Sequence, residues 1–285
     1  MKKIISATEA GRLIGNNASV MIGGFLKCGT PTKVIEEILK NGVSGLTLIA
    51  NDTCFPDSDR GKLIANKRVK KAIVAHIGTN PETGKQMNAG ELEVELTPMG
   101  TLVEKIRAAG SGLGGFLTPT GVGTPVEEGK QTMEVDGKKY LFEKPLKADF
   151  ALIYGTKADK FGNVYLEGTT RNFNVVMASA ADTVIVEADE LVDDSLDPNM
   201  VTIPGIFVAQ ELKEGDYVTL GIGLPTEVAN YIPENVHVMI QSENGLIGVG
   251  KKPAPDKVDP KITNAGGIPV TTKQGAAFFD SQMSL

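Results

Sequence analysis

The chain is poor in cysteine, histidine and positive charge. Cysteine occurs twice in 285 residues, at Cys28 and Cys54, and never as a CxxC pair. That usage suits free thiols in a reducing cytoplasm, with both residues read as small core side chains or, alternatively, as reactive ones. Histidine also occurs twice, at His76 and His237, each inside a strand-like apolar run. Two such residues do not assemble a metal cluster, so no metal is expected. Lysine and arginine number 29 against 35 aspartates and glutamates, leaving a net charge of -6. An acidic chain of this kind argues against a broad nucleic-acid surface, though not against a local basic pocket for a phosphorylated ligand. No apolar run is long enough to cross a bilayer, and Met1-Lys2-Lys3-Ile4-Ile5-Ser6 lacks the apolar core of a signal peptide. A cytoplasmic protein without membrane contact is the resulting expectation.

What is present is a globular composition, 41% hydrophobic and 22% charged, with 33 glycines. The glycines cluster at Gly23-Gly24, Gly110 to Gly115, Gly121-Gly123, Gly221-Gly223, Gly245 to Gly250 and Gly266-Gly267. Clusters of this kind between apolar runs mark places where backbone approaches something closely. One cluster adjoins the most informative segment. The run Val236-His237-Val238-Met239-Ile240 reads as a buried strand, and Gln241-Ser242-Glu243-Asn244-Gly245 follows it. Glu243 therefore stands at a strand end, where ligands bind in open α/β sheets. A carboxylate kept from water there can act as a nucleophile. The alternative is a solvated side chain beside an ordinary Asn-Gly turn.

The chain also starts over. Val20-Met21-Ile22-Gly23-Gly24-Phe25 is followed by Gly29-Thr30-Pro31 and a helical run. Asp216-Tyr217-Val218-Thr219-Leu220-Gly221-Ile222-Gly223 is followed by Leu224-Pro225-Thr226 and another. Each copy puts proline at the expected first helical position. A second strand follows in each copy, Leu46 to Thr53 and then Val236 to Asn244, which sets Asp52 opposite Glu243. Asn88-Ala89-Gly90 then echoes Asn264-Ala265-Gly266. Further strands are expected at Phe150 to Gly155 and Thr183 to Ala188, with a polar hairpin at Val135-Asp136-Gly137-Lys138. The pattern predicts an α/β chain of mostly parallel open sheets with flanking helices, in two pseudo-symmetric units, the second incomplete. The boundary falls between residues 1–208 and 209–285.

Several of these segments resemble known signatures. Asn16 to Pro31, with Gly23-Gly24-Phe25 at its centre, resembles the signature of the α part of class I (3-oxoacid) CoA-transferases. Gln241-Ser242-Glu243-Asn244-Gly245-Leu246-Ile247-Gly248 resembles the active-site signature of their β part. Gly90 to Pro98 and Thr118 to Thr124 are similar to further α-part motifs. By this resemblance, residues 1–208 correspond to an entire α subunit and 209–285 to the front of a β subunit. Likeness is strongest to acetate or butyrate–acetoacetate CoA-transferases and the succinyl-CoA:3-ketoacid enzymes.

The resemblance implies ping-pong transfer of CoA between a short-chain acyl-CoA and a carboxylic acid, through a thioester on Glu243. It implies no permanently bound cofactor, coenzyme A serving as substrate. Asn51, Gly221, Gly223 and Asn244 are the implied substrate or oxyanion residues, Asn51 being equally readable as a turn former. Gly112, Gly114 and Gly115 are candidate CoA-facing loop residues, or simply a sharp helix-to-strand connection. Gly23, Gly24 and Phe25 read as packing and subunit-contact residues. Relatives often carry asparagine where this chain has Asp52, and a second carboxylate facing Glu243 would repel its charge unless screened. A homo-oligomer or a complex with a β subunit is implied. The competing expectations are an acyl-CoA hydrolase, a catalytically incomplete α-type subunit, and a non-catalytic CoA or sugar-phosphate binding module.

Overall fold

A computed structural model describes residues 4–208, 217–219, 239–242 and 244–280. The chain forms two compact units, one of residues 4–156 with 166–189, the other of 157–165 with the chain from 190 onward.

The first unit is built on a parallel sheet whose central strands are β1 (Ser19–Ile22), β2 (Leu46–Asp52), β3 (Val69–His76) and β4 (Glu93–Leu96). With β8 (Ala148–Asp159) and β10 (Ala181–Val192), the order is β10-β8-β1-β2-β3-β4. The β1–β8, β1–β2, β2–β3 and β3–β4 pairs are all parallel. Side chains alternate across such a sheet. Val20, Ile22, Leu46, Leu48, Ala50, Ala72 and Val74 enter one core with Val34, Ile35 and Ile38 of helix α2 (Thr32–Lys40). The intervening Met21, Ile49 and Ile73 are buried as well. Helix α5 (Met99–Gly110), with Leu102 and Ile106 fully buried, packs on β3. A sheet buried on both faces explains why these strands read as continuous apolar runs.

Helix ends follow local chemistry. Ser6 and Glu9 form a reciprocal capping box on α1 (Ala7–Leu13). Pro31 precedes α2 by one residue instead of opening it, and no side chain of the helix caps its start. Glu187 on β10 does so from afar, accepting the Lys33 and Val34 N–H groups at 3.2 and 2.9 Å. Helices α3 (Asp59–Ala65) and α4 (Pro81–Asn88) follow β2 and β3.

A separate antiparallel sheet follows α5, in the order β5-β7-β6, from β5 (Phe116–Thr118), β6 (Thr132–Val135) and β7 (Lys138–Glu143). The expected polar hairpin turns at Asp136 (φ 51) and Gly137 (φ 74), a turn with two left-handed residues. Gly115 enters β5 at φ +145, where a Cβ would stand 2.4 Å from Phe142 Cζ and 2.7 Å from the Glu143 carbonyl oxygen. Gly115→Ala is therefore expected to lose about 1–3 kcal/mol of stability, read as a lowered urea midpoint. Gly114→Ala, which meets nothing within 4 Å, serves as the control.

In the second unit, β9 (Val164–Tyr165) pairs antiparallel with the end of β8. A sheet of β11 (Tyr217–Thr219), β12 (Met239–Ser242), β13 (Leu246–Val249) and β14 (Thr272–Phe278) completes it. The β11–β12 pair is parallel, like β1–β2, so this step of the repeat is present in the backbone. Beyond it the copies differ: β12–β13 and β13–β14 are antiparallel. The Asn-Ala-Gly echo is one of letters only. Asn88 ends α4, whereas Asn264 opens a turn in which its Oδ1 accepts the Gly266 and Ile268 N–H groups, both at 3.0 Å.

Candidate active site

Strand β2 ends in Asn51-Asp52, at the carboxyl edge of the first sheet. The Asp52 carboxylate is buried and gathers four donors. Its Oδ1 accepts the Cys54 N–H at 2.8 Å and Arg60 Nη2 at 2.6 Å. Its Oδ2 accepts the Leu26 N–H at 2.9 Å and Asn51 Nδ2 at 2.8 Å. Arg60 is fully buried on α3 and makes further bonds, from Nε to the Asp52 carbonyl at 2.7 Å and from Nη1 to Thr30 Oγ1 at 3.2 Å. The charge read from sequence as a threat to Glu243 is thus neutralised inside its own unit.

This ion pair holds a strained junction. Leu26 (φ 50), Cys54 (φ 51) and Asp59 (φ 45) are non-glycine residues in the left-handed region, each of which costs about 1–3 kcal/mol. Two of them donate their N–H groups to Asp52. The loops after β1 and β2 are therefore tied together by one side chain at the sheet edge where open α/β folds bind ligands.

Burial alone pushes the Asp52 carboxyl up. The Arg60 guanidinium and the bonds from Leu26, Asn51 and Cys54 outweigh it and hold the group below its ordinary value. A lowered folded-state pKa stabilises the fold above the unfolded value, about 3.9. That stabilisation disappears as pH falls through the lowered folded value. The stability advantage of wild type over Asp52→Asn is accordingly expected to be full above about pH 5 and to shrink steadily towards about pH 2, as urea midpoints at stepped pH will show. A constant advantage across that range would contradict the assignment.

Asn51 is buried beside this pair. Its amide nitrogen faces Asp52, and its Oδ1 is enclosed without any hydrogen-bond partner. A buried acceptor left unpaired costs about 1–3 kcal/mol.

The glycine loop after α5 divides by role. Gly112 (φ +66) follows the helix cap Ser111, and its N–H and that of Leu113 return to Ala109 and Ala108 oxygens at 3.2 and 2.8 Å. That is a helix-terminating glycine. Gly115 is required by packing against β7, as described above. Gly114 has open space around it. In the β1 loop, a Cβ at Gly23 would stand 1.9 Å from Asn174 Oδ1, and one at Gly24 2.3 Å from Thr30 Oγ1, so both glycines serve packing.

In the second unit the described residues bracket position 243. Ser242 is buried, and its Oγ accepts the Ala265 N–H at 2.8 Å. Asn244 is exposed, and its Nδ2 donates to the Thr263 oxygen at 2.8 Å, which commits one amide hydrogen to the neighbouring hairpin. The Gly245 N–H returns to the Ser242 oxygen at 3.0 Å. Glu243, Gly221 and Gly223 lie outside the described residues.

Reading the sequence missed three residues. Arg60 sits eight positions beyond Asp52 with no motif around it. Glu187 caps a helix 154 residues away. Asn174 is fully buried, accepting the Tyr154 N–H at 2.9 Å and donating to the Gly29 and Thr170 oxygens. The pairing of a tight Gly23-Gly24 with a distant small amide leaves no trace in one chain. Of the cysteines, Cys54 is buried as a core residue should be, whereas Cys28 is exposed. No group of acidic, cysteine or histidine side chains among the described residues is arranged to hold a metal. No described helix is long and apolar enough to cross a membrane.

Comparison with known proteins gives the family. Residues 4–210 and 207–285 each match the Coenzyme A transferase family. The acetate CoA-transferase subunit alpha of Escherichia coli K12 is 51% identical over 74% of this chain and 99% of its own length. The acetoacetyl-CoA:acetate/butyrate CoA transferase alpha subunit of Clostridium acetobutylicum is 51% identical over 74% of this chain and 98% of its own. In fold, the chain resembles the acyl-CoA transferase YdiF apoenzyme of Escherichia coli O157:H7, at a TM-score of 0.65 and 21% identity, over 99% of this chain and 65% of that one. The chain is a transferase enzyme and belongs to the coenzyme A transferase family.

Proposed function

We propose that the chain moves CoA between a short-chain acyl-CoA, acetyl, butyryl or acetoacetyl, and a carboxylic acid, with Glu243 as nucleophile. The observation that carries this reading is the Gln241-to-Gly248 signature at the end of a sheet strand, in a chain whose first part is half identical to two CoA-transferase α subunits. A Glu243 oxygen attacks the thioester carbonyl, the C–S bond breaks, and CoA thiolate leaves behind a mixed anhydride. The thiolate attacks the glutamyl carbonyl and expels the first acid as its carboxylate, giving the glutamyl-CoA thioester. The acceptor carboxylate then repeats the two steps in reverse and leaves as the new acyl-CoA, with Glu243 free again. Each step divides one hard exchange into easier ones.

The tetrahedral states need hydrogen-bond donors, often worth about 3 kcal/mol each. Gly221, Gly223 and Asn244 are assigned to that task, Asn51 to a substrate contact through its Oδ1, and Gly114, in open space, to the CoA-facing loop alongside Gly112 and Gly115. Coenzyme A is a substrate in this scheme. Both alpha-subunit relatives named above support a β-type partner chain in the working assembly, the alternative being a second copy of this chain. A cytoplasmic location is part of the same proposal.

The test is intact mass after incubation with acetoacetyl-CoA. A covalent adduct mapped to Glu243, resolved by acetate or butyrate with new acyl-CoA formed, is the expected result. Resolution by water alone would make the protein a hydrolase, and no adduct with turnover intact would overturn the nucleophile assignment.

A further inference from the structure

Resting on the proposed substrate contact of Asn51, we infer that Asp52, held by Arg60, is a positioning residue that fixes which way round the Asn51 amide lies. Four donors converge on Asp52, two at each carboxylate oxygen. A carboxylate accepts at both ends, whereas an amide accepts at one end and donates at the other. With aspartate at this position, Asn51 must turn its nitrogen inward, and it does, at 2.8 Å. The consequence is the buried Asn51 Oδ1 without a donor of its own. With asparagine instead, one end of residue 52 presents an NH2 group to donors. If its oxygen stays with the Arg60 fork, the NH2 faces Asn51, whose amide reverses to offer its oxygen inward and its nitrogen outward. The Arg60 bonds to Asp52 Oδ1 and to the Asp52 carbonyl keep the carboxylate from swinging to serve other partners. One buried acidic side chain thus sets the polarity of the neighbouring amide.

The experiment is a double-variant cycle on the full chain, assayed for CoA transfer from acetoacetyl-CoA to acetate with kcat and KM separated. Asp52→Asn is expected to lower kcat on the order of 10²-fold, the effect of misplacing one group at a reacting centre, with a smaller change in KM. With Asn51→Ala already present, Asp52→Asn is expected to bring no further loss, because the group it positions is gone. An equal loss in both backgrounds would show a merely structural role and overturn the inference. So would an Asp52→Asn enzyme that keeps its kcat while Asn51→Ala loses it. If Asn51→Ala itself leaves kcat intact, the role given to Asn51 falls, and this inference with it, while the Glu243 assignment stands or falls by its own variant. Should Asp52→Asn fail to fold, Arg60→Lys goes through the same cycle. It keeps a cation beside Asp52 but breaks the guanidinium fork, and its kcat loss must likewise vanish when Asn51 is alanine.

Discussion

Arg60→Met is expected to destabilise the first unit by about 3–5 kcal/mol, the cost of leaving one member of a buried ion pair uncompensated. The side chains of Arg60 and Asp52 are 0% and 1% exposed, so no water can replace the lost guanidinium. The same variant removes the bonds to the Asp52 carbonyl and to Thr30 Oγ1. It also loosens the carboxylate that holds the left-handed Leu26 and Cys54 N–H groups. Exposed pairs in the same chain give the contrast. Lys67 and Glu91 lie 2.7 Å apart but are 66% and 48% exposed, and such pairs contribute about 0–1 kcal/mol. Lys67→Met is the matched control. A urea midpoint for Arg60→Met no lower than that of Lys67→Met would refute the importance given to the buried pair. Pairing Arg60→Met with Asp52→Leu should recover part of the loss, because no lone charge then remains inside.

The contrast between Asp52 and its surroundings shows what could be read from sequence. The strands β1, β2 and β8 were legible because sheets covered on both faces demand continuous apolar runs. The Asp136-Gly137 hairpin was legible because two adjacent left-handed residues have few sequence solutions. Asp52 is legible as a strand-end carboxylate in need of screening, but the group that screens it is not. Its partner Arg60 lies on α3, in a segment whose composition announces only a short helix. Fork geometry is a property of three dimensions, and a spacing of eight residues predicts nothing about it.

The second sheet taught a related lesson. Gln241-Ser242-Glu243-Asn244-Gly245 marked a turn after a buried strand, and the structure has a turn there, closed by the Gly245 N–H on the Ser242 oxygen at 3.0 Å. The sequence did not reveal that the chain would double back as antiparallel β13. Leu246 to Val249 is buried throughout, so it carries no alternation from which direction could be inferred. Nor did it reveal that Ala265 and Thr263 would bind the two neighbours of Glu243.

Those tethers bear on the largest kinetic effect expected. Glu243→Gln should cut CoA transfer by on the order of 10⁴-fold or more, as removal of a covalent nucleophile does. Glutamine has nearly the same shape, so the Ser242 bond to Ala265 and the Asn244 bond to Thr263 are not asked to change. What disappears is the anionic oxygen proposed to attack the thioester, since a neutral amide is a far weaker nucleophile. Glu243→Asp keeps the charge but withdraws it by one methylene, and a misplacement of about 1 Å is expected to cost roughly 10²-fold. The two variants together separate chemistry from placement. Glutamine should eliminate the mass adduct, while aspartate should still form it, slowly. Turnover retained by Glu243→Gln, with no reversion to glutamate detectable by mass, would mean that another group carries the acyl chain and that the strand-end carboxylate is only a turn residue.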